Sequence, residues 1–264
     1  MKLLPLLLFS SATISICALQ VANGEEWVVQ ERHGRFELYS QFEVVPRVLW
    51  DELNEVAEEV EELLQVKPAS DPVRIVLFTD QQSYVASLGA SLPQVRMRKA
   101  IFVRTGDVSR VYAYQSRTLT RDLRHEVTHA LLHQHLPFLP LWLDEGLAEY
   151  LEETKPLRHT SSRASMVRWK ARIGWKPELK SMEAIPSAEE MEPVDYRDSW
   201  AWVCFLLNES SQTRDLLVTY VNTIHKGGDP GPFSAFSAAI TPHLEQRATA
   251  YFRRIPSRSL GMSR

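Results

Sequence analysis

The chain is poor in cysteine, with two among 264 residues, Cys17 and Cys204. Cys17 lies in an N-terminal stretch that reads as a leader. The mature chain is therefore expected to keep Cys204 alone and to have no internal disulfide. Its stability must then come from a packed core and from any metal it holds. Cys204 sits in "WAWVCFLL" and reads as buried core filler rather than a reactive thiol. Net charge is also scarce: 30 Lys and Arg against 33 Asp and Glu leave −3. That balance argues against a general nucleic-acid binder. Past the N-terminus no apolar run is long enough to cross a bilayer, which argues against an integral membrane segment in the mature chain. There is no internal repeat and no low-complexity segment.

What is present is ordinary globular composition, 44% apolar and 24% charged. Met1–Lys2 followed by "LLPLLLFSSATISICALQVA" reads as an export signal over residues 1–24, with small-residue cleavage options at Ala18 and at Ala22–Gly24. The expected location is secreted, periplasmic or cell-envelope. Ile16 is a bulky neighbour for lipid modification of Cys17, which disfavours a lipid anchor.

Residues 25–118 read as an N-terminal sheet part. "EEWVVQERHGRFELYSQF" alternates apolar and polar residues about His33–Gly34, as an edge hairpin does. "PRVLWDELNEVAEEVEELLQV" repeats Leu49, Leu53, Val56, Val60 and Leu63 at helical spacing, with its carboxylates expected on a solvated face. "VRIVLFT" reads as a buried strand and is followed by a short helix to Gly89. "KAIFVRTGDVSRVYAYQ" reads as two strands about Gly106–Asp107. Residues 119–154 read as two helices separated by Pro137–Pro140. Residues 155–255 form a helical part, and 256–264 a frayed tail. Strands first and helices afterwards make the expected class α+β, with a mixed sheet. Lys155–Lys180, with eight Lys or Arg and one Glu, reads as a solvated connection.

The chemistry concentrates in "HEVTHALLHQHLPFLPLWLDEGLAEYLE", His125 to Glu152. His125 and His129 are four residues apart, close to one helical turn, so both imidazoles face one way. Glu126, one residue on, can reach water at a metal without binding the metal. This His-Glu-x-x-His spacing is that of zinc hydrolases. Chance alone would give roughly 0.02 such matches in a chain of this composition, so the context must decide. His135 would need a bend at Leu132 to turn back, and a straight helix carries it about 9 Å beyond His129. His133 lies in line with the other two and reads as a surface or end-of-helix residue. A helix restarted at Pro140 and running antiparallel would return Glu145, or its neighbour Asp144, to the histidines. The two point about 100° apart, so only one faces the metal. Glu149, one turn on from Glu145, is placed to accept from a ligand ring N–H. Glu152 and Glu153 read as a solvated acidic face.

At "LRHEVTHALLH…LPLWLDEGLAEYLEE" the chain resembles the gluzincins, zinc peptidases whose ligands are His, His and Glu. "WLDEGLAEY" is similar to the "W-L-N-E-G-F-A" segment of their aminopeptidase branch. The short gap between His129 and Glu145 resembles small bacterial exported peptidase-MA-like proteins. The resemblance implies a thermolysin-like catalytic core, Zn²⁺ on His125, His129 and Glu145, and Glu126 as general base. "YRDSWAWVCFLLNE" resembles a helix of that group that opens on a tyrosine supporting the oxyanion, which implies that role for Tyr196. The "G-x-M-E-N" segment by which aminopeptidases grip a free amine is absent. The basic "VRMRKAIFVRTG" stands in its place, and the strand near Ala100–Thr105 is expected to pair with an extended substrate instead. The expected function is zinc-dependent hydrolysis of a peptide or protein substrate. The alternatives are a non-catalytic envelope protein keeping a structural zinc, and a protease restricted to one partner.

Overall fold

A computed structural model of the chain describes residues 27–44, 46–65 and 71–254. The expected leader and tail, and part of the Pro68–Pro72 break, lie outside the described residues. Five strands form one mixed sheet: β1 (Val29–His33), β2 (Phe36–Ser40), β3 (Val73–Phe78), β4 (Ala100–Thr105) and β5 (Val108–Tyr114), in the order β1-β2-β3-β5-β4. β1 pairs antiparallel with β2, β2 and β5 flank β3 in parallel, and β4 returns antiparallel on β5. The N-terminal hairpin is at one edge and β4 is at the other. Gly106, in the β4–β5 turn, takes a φ of 57°, a left-handed conformation that glycine adopts without steric cost.

The helices among the described residues are α1 (Pro46–Leu64), α2 (Gln81–Leu88), α3 (Leu119–His135), α4 (Leu141–Leu151), α5 (Ser162–Arg172), α6 (Leu179–Glu183), α7 (Pro193–Asn208), α8 (Ser211–His225), α9 (Phe233–Ile240) and α10 (Leu244–Arg254). The class is α+β. None of these helices is long and apolar enough to cross a membrane.

Period-two alternation sends each strand's side chains to two cores. Phe36, Leu38, Val73, Ile75, Leu77, Val111 and Ala113 face the larger one, with Leu53, Val56 and Val60 of α1 and Leu123 and Val127 of α3. Val76, Phe78, Ile101 and Tyr112 face a smaller core closed by Tyr84 and Leu88 of α2. β3 is buried on both faces, which explains its unbroken apolar run.

α3 stops just ahead of Pro137, and α4 starts on Pro140, so the two prolines bound the connection between them. α4 lies between α3 and α7, and almost every residue of α4 is buried. A Cβ on Gly146 would stand 2.7 Å from the Ser199 carbonyl oxygen and 2.8 Å from Val203 Cγ2 on α7. Only a residue without a side chain lets α4 and α7 approach this closely.

Two expectations about charge are corrected by the packing. The carboxylates of α1 are not simply a solvated face. Glu52 and Glu55 bond Arg124 Nη1 at 2.7 and 2.9 Å, and Glu59 grips Arg158 with both oxygens at 2.6 and 2.7 Å. Nor is the basic stretch only a solvated connection: Arg158 and Arg168 are buried, at 3% and 6% exposure. Periodicity places charges on a helix face but does not reveal a buried partner on another element.

Candidate metal centre

α3 is buried along most of its length and carries His125, Glu126, His129 and His133 toward α4 and β4. The pairing order fixes how α4 runs. His133 and His129 meet Asp144, His129 and His125 meet Glu145, and His125 meets Glu152. Rising numbers on α3 meet falling numbers on α4, so the helices are antiparallel.

The two imidazoles present Nε2 to each other at 3.3 Å. Glu145 Oε2 lies 3.6 Å from His125 Nε2 and 3.8 Å from His129 Nε2. On the outer side, His129 Nδ1 is 3.0 Å from Asp144 Oδ1, and His125 Nδ1 is 3.3 Å from Glu152 Oε2. A carboxylate only accepts, so each Nδ1 carries the donated hydrogen. In the neutral tautomer that follows, both Nε2 lone pairs point at one another and at a carboxylate oxygen. Three electron-rich atoms so close together favour a positive charge among them, a proton on an imidazole or a metal ion. Tetrahedral coordination at 2.0–2.2 Å per bond would separate its donors by about 3.3–3.6 Å, close to the observed spacings. His125, His129 and Glu145 thus form a group able to hold a metal ion.

The titration shifts agree with that electrostatic demand. Burial pushes the His125 imidazole down, but hydrogen bonds to Glu145 and Glu152 and nearby carboxylate charge outweigh it, and the net shift is well upward. His129 also rises: burial opposes, and Asp144 and Glu145 prevail. Burial would raise the Asp144 carboxyl, yet His129 and His133 hold it far below the usual range. Glu145 is lowered against its burial by His125 and His129. Glu152 is held down to about 2 against its burial, by His125, Arg163 and Arg121.

The structure assigns the orienting contacts differently from the sequence. Glu149, expected to steady a ligand ring, is ion-paired with Arg163. Burial, then the charge of Glu152, raises its carboxyl. The ring contact to His125 belongs to Glu152, which is 8% exposed and not part of a solvated face. Arg121 and Arg163 both bond Glu152 Oε1, leaving Oε2 for the imidazole. Asp144 and Glu145 do point different ways, as helical geometry requires. Glu145 faces the Nε2 pair and Asp144 takes the outer nitrogen of His129. His133 is in the last turn of α3, as one of its two expected placements had it, but is half-buried rather than on the surface: its Nε2 meets Asp144 Oδ2 at 2.9 Å and its ring stacks on Phe102. His135 is at the end of α3 beside His225, away from this group.

Glu126 is buried, and its Oε2 accepts from the Phe102 backbone N–H at 2.7 Å. Phe102 is on β4, so the free edge of the sheet adjoins the candidate base. Tyr196 is in the first turn of α7 and is half-buried. Burial raises its hydroxyl pKa first, and the Glu145 charge adds to this.

Sequence reasoning missed Asp144 and His133 as a pair, Glu152, and the arginines behind them. Their spacing did carry a signal. Glu145, Glu149 and Glu152 lie at i, i+4 and i+7 on one face of α4, so a face that held the ligand also had to hold Glu152.

No protein-family model matches this chain, and no curated protein matches it.

Proposed function

We propose that this chain is a zinc-dependent metallopeptidase of the gluzincin type. The reading is carried by the convergence of His125 Nε2, His129 Nε2 and Glu145 Oε2 within 3.8 Å of one another, with Glu126 next to the first ligand. Nitrogen and carboxylate donors in this number suit zinc, and three protein donors rather than four suit a catalytic site rather than a structural one. Zinc held there would acidify a water and polarise the scissile carbonyl.

The chain's own residues supply the rest. Asp144 and Glu152 hold the two ring tautomers so that both Nε2 atoms face inward. Glu126 takes a proton from the attacking water and returns it to the leaving nitrogen. Tyr196 donates to the developing oxyanion. An extended peptide adds to the free edge of β4, which brings its backbone alongside Glu126. The sequence resemblance to exported peptidase-MA-like proteins supports the same assignment.

The test is metal analysis of the purified protein together with digestion of a peptide library. The parent should contain about one zinc per chain and cleave peptides. Glu126→Gln should keep the zinc and lose turnover by at least about a hundredfold. Equal hydrolysis by parent and variant removes Glu126 from the mechanism. A parent without metal affinity removes the assignment.

A further inference from the structure

α5 is apolar on two opposite sides. Ala164, Val167 and Ala171 face the core and are fully buried or nearly so. Met166 and Trp169 on its other side, and Ile173 just past its end, are 50%, 57% and 63% exposed. The i, i+3, i+7 spacing sets them in one outward row. Single exposed apolar residues need no explanation, but a tryptophan aligned with two aliphatic neighbours along a helix does.

The segment that carries this row is one-sided in charge. Residues 155–180 carry eight Lys or Arg and one Glu in a chain whose net charge is −3. Three of the arginines turn inward: Arg158 to Glu59, Arg163 to Glu149 and Glu152, and Arg168 to the His159 carbonyl and Ser165. Lys170, Arg172 and Lys176 flank the apolar row and make no ion pair among the described residues. The fold pairs Arg158 and Arg163 with carboxylates and gives Arg168 neutral acceptors, while the outer cations form no ion pair among the described residues.

We propose that this outer face of α5 docks the protein on a bilayer surface bearing anionic headgroups. Met166, Trp169 and Ile173 enter the headgroup–acyl boundary, where tryptophan is favoured, and Lys170, Arg172 and Lys176 meet the phosphates. Size separates this partner from an acidic protein. The row is about 10 Å long, on a helix about 10 Å across. That falls far short of the roughly 800 Å² per partner that a stable protein pair buries, but suits a helix lying in a membrane interface. The inference does not depend on the metallopeptidase reading.

Vesicle partitioning of the full chain tests it. The parent should bind phosphatidylglycerol–phosphatidylcholine vesicles more tightly than phosphatidylcholine alone, and salt should weaken the binding. Trp169→Ser with Ile173→Ser, and separately Arg172→Glu with Lys176→Glu, should each reduce partitioning at least about tenfold. Thermal unfolding should be unchanged, because all four positions are exposed. All chains share the same N-terminal residues, so the differences report this helix face. On the parent, brominated lipid should quench tryptophan emission, and Trp169→Phe should remove that quenching. Equal partitioning by parent and variants, or undiminished quenching in Trp169→Phe, overturns the proposal. So does a parent that ignores vesicles but forms a dimer that Trp169→Ser abolishes, which would make the face a protein contact.

Discussion

Gly146 lies so close to Ser199 that an added Cβ would meet the serine carbonyl oxygen at 2.7 Å. The obstacle is backbone, which cannot rotate aside. Gly146→Ala should therefore force α4 from α7 and cost about 2–3 kcal/mol, read as a lower midpoint in urea unfolding. Helix propensity favours alanine by about 1 kcal/mol, and this partly offsets the loss. Because Glu145 is the preceding residue, metal affinity should fall in the same variant. An alanine variant as stable as the parent would show that the helices are free to part.

Asp144 connects His129 to His133, its two oxygens at 3.0 and 2.9 Å from the ring nitrogens. Asp144→Ala frees the His129 ring to rotate and to choose the other tautomer. Metal dissociation constants, measured by competition with a chelator, should rise about 10–100-fold. His133→Ala should move the constant in the same direction by less, since it removes the support of Asp144 and not the contact to the ligand ring. An unchanged constant in Asp144→Ala would leave this carboxylate with an ion-pairing role only.

The contacts on α4 separate two glutamates that look equivalent in sequence. Glu152 accepts from His125, and Glu149 pairs with Arg163. Glu152→Gln should weaken metal binding by about tenfold or more, and Glu149→Gln by clearly less. The reverse order would return the orienting role to Glu149.

The fold class was legible because its signals are local. The turn at Gly106, the prolines bounding the α3–α4 connection and the alternation in β2 each act within a few residues. The convergence of His125, His129 and Glu145 was legible for a related reason. His125 and His129 share one helix, and the proline break lets a second helix return its carboxylates to them, Asp144 and Glu145 among them. What stayed hidden was pairing between distant elements. Nothing near Glu52 indicates that a buried arginine 72 positions away will claim it. Nothing in the basic stretch separates Arg163, turned toward Glu149, from Arg172, turned outward. A charge's partner is set by how helices dock, and composition and periodicity do not encode that docking directly.

Arg124 provides the sharpest test of such a hidden contact. It is 1% exposed, and it bonds the Leu151 carbonyl at 3.0 Å through Nε and Glu52 and Glu55 through Nη1. It therefore ties α3 to α4 and to α1 immediately before the first candidate ligand. Arg124→Met keeps the packing volume but leaves those carboxylates facing an apolar chain. Glu52 and Glu55 retain 27% and 33% exposure, so solvent relieves part of the penalty. The expected loss is then about 2–3 kcal/mol, below that for a fully buried pair. Adding Glu52→Gln and Glu55→Gln to Arg124→Met should recover part of that loss, because the uncompensated charge is gone. Chemical denaturation of the parent, the single variant and the triple variant measures all three values. If the triple variant is no more stable than Arg124→Met, the arginine acts through its bond to the Leu151 carbonyl and its packing, and the carboxylate cradle of α1 contributes nothing to stability.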